Sequence, residues 1–378
     1  MIMLPLAVWS HWNIAWDITV IILVSLYMLA IFILMLRETS RALDLKPLLP
    51  FMVILSTLFI FSIDQAENLL WGWQMSAFLS LAGCFTMIFF LTRPESLPWH
   101  ILLASIASAF AVYNYATSLA LWPIGVVLIL LHPANSTRKK IAYSAIFILL
   151  GAANTYHYYA AIMETKNAAA NPISLNTIHF TLNFLGSGIA RFSHNTVTIV
   201  GLAGLAGCVW LYFRLRAYNK NSLLAILPYA ALAAYAVSCA ILTAFGRAQY
   251  GVDQAGIARY ITFSYPLWLA LVIMISVYLG LAETKCARKP VIIALAIIVL
   301  FKMGNSAYIG GRFVKVSTKH NEIQQEVANK YPDISSALLL RIFPFEQQAR
   351  HYLKVMYANR LNIFKAQPDE ITGTTRHH

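Results

Sequence analysis

Long apolar runs separated by short polar segments dominate this sequence. Several runs hold about 18 or more apolar residues, and about 20 helical residues are needed to cross a hydrocarbon layer of about 30 Å. The pattern therefore predicts an all-α, polytopic membrane protein with about ten transmembrane helices. The expected spans are residues 14–36, 48–63, 71–92, two within 100–131 that meet at the polar waist 113–118, 141–159, 196–213, 223–244, 261–281 and 290–308.

The polar segments between the spans predict an orientation. Short basic segments such as RETSRALDLK, HPANSTRKK, RLRAYNK and ETKCARK alternate with segments that carry few basic residues. Lys and Arg in short loops mark the cytoplasmic side. The extracytoplasmic side then holds the amino terminus, residues 64–74, the waist 113–118, the loop 154–195 with a re-entrant or interfacial helix near 178–190, the crossing 246–260 and the tail.

The tail differs in composition from the rest of the chain. We expect a transmembrane domain over residues 1–308 and an extracytoplasmic helical cap over 309–378. The apolar residues of the tail recur near helical spacing. These residues are Ile323, Val327, Tyr352, Leu353, Met356, Tyr357 and Leu361.

Composition and charge exclude several classes of protein. Hydrophobic residues make up 59% of the chain, charged residues make up 11%, and the mean hydropathy is +0.65, which excludes an ordinary soluble domain. The net charge is +13, but many of the basic residues lie in short loops between spans, so we expect no nucleic-acid partner. Four cysteines without ligand spacing and the absence of a GxxxxGK[ST] loop argue against a transition-metal site and an ATP-driven pump. No cofactor is predicted, and a divalent cation requirement stays open.

The crossing at residues 246–260 holds the most unusual charges of the sequence. Arg247 and Arg259 stand at the ends of two apolar runs, with Asp253 midway and Tyr250 and Tyr260 beside them. Charges at the end of a span are costly without a partner, a cavity or a headgroup. A guanidinium offers paired donors that suit phosphate. The segment therefore predicts a phosphate or pyrophosphate site. The alternative is that both arginines snorkel to lipid phosphates.

Two carboxylates supply candidates for a general base. Asp64 and Glu67 are three residues apart, so on one helix they would share a face and could share a proton, a metal or a partner such as Arg247. The alternative is a carboxylate that is merely solvated at a helix end. Trp71 and Trp73 follow, and their alternative interpretation is an aromatic belt at the membrane interface.

A histidine in the tyrosine-rich patch at 156–159 is the remaining candidate. His157 would be a proton carrier, or a structural interfacial histidine. Asn114 lies in the waist and is a further polar candidate for a binding site.

Three stretches together resemble a known group. They are ENLLWGWQ (67–74), ATSLALWPIGVVLILL (116–131) and GRAQYGVDQAGIARYITFS (246–264). They resemble bacterial polytopic proteins that look like C-type glycosyltransferases (GT-C), over roughly residues 10–365. The resemblance implies sugar transfer, in the bacterial inner membrane, from an undecaprenyl-phosphate donor to a glycan or lipid acceptor on the extracytoplasmic face.

The amino terminus departs from that group. Its members usually begin with an extra span and a first outer loop bearing an acidic-His-Arg motif, whereas this sequence starts at MIMLPLAVWSHWNIAW. Three explanations stay open: the chain is truncated, another acid serves, or activity has been lost.

The leading hypothesis is a membrane glycosyltransferase. Arg247 and Arg259 would hold the lipid phosphate with Tyr250 and Tyr260 in support, and Glu67 or Asp64 would be the base. Trp71, Trp73 and Asn114 would line the sugar pocket, with Asp253 and His157 nearby. The alternative is a transporter or flippase of a lipid-linked glycan or anion, or a non-catalytic relative.

Overall fold

The computed structural model is helical throughout the residues it describes, which are 3–163, 173–191, 194–218, 222–282 and 284–364, and no strand occurs among them. The chain divides into two compact units. Unit 1 comprises Met1–Val20 and Gly310–His378, and unit 2 comprises Ile21–Ile309. The helices are α1 (Met3–Ser10), α2 (Ile14–Ala42), α3 (Leu49–Ile60), α4 (Ala66–Leu70), α5 (Met75–Leu91), α6 (Pro98–Asn114), α7 (Leu121–Leu131), α8 (Thr137–Met163), α9 (Leu175–Gly186), α10 (His194–Tyr218), α11 (Ser222–Arg247), α12 (Ala258–Leu281), α13 (Lys285–Lys330), α14 (Ser336–Ile342) and α15 (Glu346–Ala358).

Seven helical stretches in the described part of the chain are long and apolar enough to cross a membrane. This confirms the prediction of an all-α protein of the membrane class. The segment 100–131 divides at the waist as expected, because α6 ends at Asn114 and a 3-10 turn at Ala116–Ala120 precedes α7. Pro123 falls in the first turn of α7, where no intrahelical N–H bond is lost.

Helix α12 is the centre of unit 2. It is buried on almost all sides and packs against α3, α9, α10 and α11. By contrast, α2 and α10 expose apolar side chains over most of their length, as helices at the lipid-facing edge of a bundle do. The start of α12 therefore belongs to a helix that is buried along most of its length.

Small residues allow the closest helix approaches. A Cβ built on Gly186 of α9 would lie 1.9 Å from the carbonyl oxygen of Val197, and one on Gly201 of α10 would lie 2.0 Å from that of Leu182. Membrane helices pack through such residues because van der Waals contact, rather than the hydrophobic effect, holds them together. The crossing of α9 and α10 therefore requires glycine at both positions.

The short basic loops lie at one end of unit 2, where side-chain contacts connect them to neighbouring segments. Arg93 forms a 2.9 Å ion pair with Glu38 at the end of α2, and His132 Nε2 lies 2.8 Å from the Arg93 carbonyl oxygen. Tyr218 donates a hydrogen bond to the carbonyl of Leu281. We call this the basic-loop end.

Unit 1 has a small core of its own around α14 and α15. Ile323, Val327 and Leu353 are buried in it, as their spacing suggested, and Tyr331 stacks on Tyr357 at 4.4 Å between ring centroids. Tyr352 remains half exposed. A helical tail is thus present, and its role as a cap stays a prediction.

Candidate functional site

The opposite end of unit 2 is built around the crossing at 246–260. Helix α11 ends at Arg247, 3-10 turns follow at Ala248–Tyr250 and Val252–Gly256, and α12 begins at Ala258. Gly251 between the turns has φ of 100°, a conformation that only glycine adopts without strain. The crossing is therefore a compact pair of turns. We call this end the arginine end.

The two predicted arginines are both exposed there, each beside a tyrosine. The Arg247 guanidinium carbon lies 5.8 Å from the centroid of the Tyr250 ring, and that of Arg259 lies 5.7 Å from the Tyr260 ring. Tyr250 is exposed, as is Asp253. Tyr260 is instead buried, so it supports Arg259 from below and does not itself face a ligand.

Tyr115, a residue that sequence reasoning missed, lies between α6 and the 3-10 turn before α7 and packs against α12. Its ring centroid is 4.4 Å from that of Phe263 on α12. The pKa of Tyr115 is raised to about 12: burial is the largest cause, Tyr260 and Cys239 also raise it, and the charges of Arg259 and Arg247 act in the opposite direction.

A third guanidinium reaches the crossing from the segment after α9. Arg191 is half-buried, and its Nη2 donates a 2.9 Å hydrogen bond to the carbonyl of Gly256. The close approach of α9 to α10 fixes the start of that segment. No local pattern in the sequence predicts this contact, because Arg191 and Gly256 stand 65 positions apart.

Asp64 and Glu67 do not form the pair that their spacing suggested. Asp64 lies in a 3-10 turn, Ile63–Gln65, and is buried, whereas Glu67 lies in α4 and is exposed, so the two carboxylates have different surroundings. Asp64 is buried and forms an ion pair with Lys302 of α13, which replaces the expected partnership with Glu67 or Arg247. Glu67 is exposed at the arginine end.

Asn68 ties Glu67 to the start of α12. Its side chain is fully buried, and Nδ2 donates to the Ala258 carbonyl at 2.8 Å and to Thr262 Oγ1 at 2.7 Å. Asn68 directly follows Glu67, and Ala258 directly precedes Arg259. Glu67, the candidate base, and Arg259, a candidate phosphate-binding residue, are therefore each next to a residue of this hydrogen-bonded contact.

The other predicted residues are distributed around this end. Trp71 and Trp73 are exposed on the segment that follows α4. The side-chain amide of Asn114 donates to the Phe110 carbonyl of its own helix, which gives the asparagine a local structural bond. His157 is exposed, and its Nδ1 lies 2.8 Å from the hydroxyl of Tyr113. This last bond joins α6 and α8.

Two apolar cavities lie beside α7 and α11. One, of about 530 Å³, is lined by α7, α10 and α11, and the other, of about 700 Å³, is lined by α7, α8 and α11. Both contact Pro123 and Ser238, so they meet at these residues. The second reaches Leu242, and Arg247 follows on the same helix about 7.5 Å farther along its axis.

The fold and this end together define an all-helical protein of the membrane class, with a cationic, tyrosine-supported site at one end of the bundle. No family model matches the chain, and no curated protein or solved structure is significantly similar to it. Within the described residues, no group of three or more His, Cys, Asp or Glu side chains could hold a metal ion.

Proposed function

We propose that this chain is a membrane glycosyltransferase that transfers a sugar from a polyprenyl-phosphate donor to a cell-envelope glycan or lipid. The observation that carries the proposal is that Arg247 and Arg259 lie at one end of the bundle, that the exposed Glu67 precedes a residue bonded to the start of α12, and that an apolar cavity extends toward this end. A polyprenyl-phosphate donor has a charged phosphate joined to a long apolar chain. The arginines suit the phosphate, and the cavity at Leu242 suits the first isoprene units.

In the proposed reaction, Glu67 removes the proton from an acceptor hydroxyl, and that oxygen attacks the anomeric carbon of the donor sugar. The bond between this carbon and the phosphate oxygen breaks, and its electron pair leaves with the phosphate. Arg247 and Arg259 stabilise the charge that develops there, which is the principal catalytic term. The products are the glycosylated acceptor and polyprenyl phosphate.

The burial of Asp64 leaves Glu67 as the candidate base. A base must come within hydrogen-bond reach of the proton that it removes. Asp64 is buried together with Lys302, whereas Glu67 is exposed at the arginine end. Trp71 and Trp73 offer apolar ring faces on which a sugar can stack.

The topology that we propose has about ten crossings, with the arginine end extracytoplasmic and the tail on the same side in the bacterial inner membrane. Two observations support the orientation of the bundle and the crossings by α6 and α7. The short basic loops gather at the opposite end, as cytoplasmic loops do. Helix α6 has 17 residues, and α7 with its preceding turn has 16, which gives each about 25 Å of apolar length.

Transfer in detergent tests the proposal. The purified chain is incubated with radiolabelled undecaprenyl-phosphate-linked sugars, one at a time, and with a bacterial envelope extract as acceptor. We expect Arg247→Ala to lower transfer by about 10²–10³-fold, as the loss of a transition-state donor does. Arg216→Ala, an exposed arginine at the basic-loop end, is the matched control and should keep the parent rate. Near-normal transfer by Arg247→Ala would refute the proposal.

The same assay separates an enzyme from a carrier. Sugar incorporation needs no sealed compartment, whereas movement of a lipid-linked glycan is measured only across an intact vesicle. Donor translocation in vesicles without incorporation in detergent would favour the transporter. A parallel reaction with EDTA tests whether a divalent cation is required.

A further inference from the structure

The buried charges of Lys302 and Asp64 have no role in the reaction above. Lys302 lies within the apolar part of α13 and its side chain is fully buried, as is that of Asp64. The ammonium donates to Ser62 Oγ, Asp64 Oδ2 and Tyr265 Oη, which uses all its hydrogens. Tyr265 also donates to Asp64 Oδ2 at 3.3 Å. A charge at this depth is costly and marks a specific requirement.

These contacts join three elements that are distant in sequence. Ser62 and Asp64 belong to the turn after α3, Tyr265 to α12 and Lys302 to α13. The ammonium nitrogen also lies 4.4 Å from the centroid of the Tyr265 ring and 5.5 Å from that of Phe59. The lysine is therefore held by acceptors and by ring faces, and cannot move without releasing the turn.

The packing face of α13 shows that burial alone does not require a lysine here. In unit 2 the bundle-facing residues of this helix recur at helical spacing: Val291, Leu295 and Ile298, followed by Lys302 and Asn305. An apolar residue at 302 would continue the pattern. A buried ion pair adds little net stability over a well-packed apolar pair, and its best-attested use is to specify one arrangement.

The turn that Lys302 holds leads directly to the candidate base. Glu67 stands between two anchors: Asp64, bonded to α13, and Asn68, bonded to the start of α12. The first anchor fixes where α4 begins, and the second fixes where it lies relative to Arg259. Loss of either one would let α4 shift.

We propose that Lys302 is a positioning residue that, through Asp64, fixes the 62–74 segment and the Glu67 carboxylate against the start of α12. The catalytic consequence rests on the proposed function, whereas the tether itself does not.

Spin labels test the tether without any activity. Labels are placed at Leu70 and Gln249, both exposed at the arginine end, in a Cys286→Ser background, since the other cysteines are buried. Double electron–electron resonance then measures the distance between them. We expect one narrow distribution for the parent chain and a broadened or shifted one for Lys302→Met. An unchanged distribution would overturn the tether.

A double variant guards against simple misfolding. Asp64→Leu with Lys302→Met removes both charges and leaves an apolar pair, which restores stability where a single removal does not. If the ion pair specifies the position of the segment, the double variant unfolds like the parent but keeps the broad distribution. A parent-like narrow distribution would show that any packing suffices and would refute the inference.

Kinetics connect the tether to the reaction. For both the double variant and Lys302→Met we expect kcat to fall by up to about 10²-fold, as a displacement of about 1 Å can cause, with the KM for the lipid-linked donor unchanged. A rise in KM alone would contradict a positioning role. If the parent chain transfers no sugar, the proposed function fails, and the distance measurement still decides the tether.

Discussion

Replacing Asn68 by alanine is expected to destabilise unit 2 and to loosen α4 from α12. The substitution removes two hydrogen bonds, of 2.8 and 2.7 Å, from a fully buried side chain. Side-chain hydrogen bonds within helical membrane proteins contribute about 0.6 kcal/mol on average and about 1.7 kcal/mol at most. The expected loss for Asn68→Ala is therefore about 1–3 kcal/mol.

The matched variant Thr262→Val removes one of these bonds and keeps the shape of the side chain. We expect it to cost about 0.6 kcal/mol, and the double variant to cost less than the sum of the single ones because they share that bond. Unfolding by SDS titration, followed by tryptophan fluorescence, measures all the variants. Strict additivity, or an Asn68→Ala variant as stable as the parent, would refute the anchoring role of Asn68.

Two further predictions concern packing and pH. Gly186→Ala should destabilise the chain by about 1–3 kcal/mol, because the new Cβ meets the Val197 carbonyl. In the control variant Gly304→Ala the new Cβ meets no atom within 4 Å, so no destabilisation is expected. SDS titration compares the two variants. Burial lowers the pKa of His132 below its usual value of 6.5, so the unfolded chain binds a proton more readily than the folded chain. The free energy of unfolding should therefore fall between about pH 7 and about pH 5, and His132→Gln should reduce this fall; equal slopes in the two proteins would contradict it.

The sequence by itself determined the class of the protein, an all-α chain with several apolar helices long enough to cross a membrane. Apolar runs need only length to predict a membrane helix, since backbone groups in hydrocarbon must bond within the segment. The division at the waist 113–118 and the candidate arginines at 247 and 259 could be recognised in the same way, because each is a polar interruption of an apolar pattern.

Only the tertiary structure decided which polar residues meet. Lys302 stands 238 positions from Asp64, and Asn68 stands 190 positions from Ala258. Local spacing carries no information about such pairs, and it suggested a different partner for Asp64. The spacing rule for Asp64 and Glu67 did not predict their surroundings, because Asp64 is buried with Lys302 of a distant helix while Glu67 stays exposed. Burial distinguishes the two carboxylates. Asp64 is enclosed with a lysine and held in place, whereas the exposed Glu67 can meet a substrate.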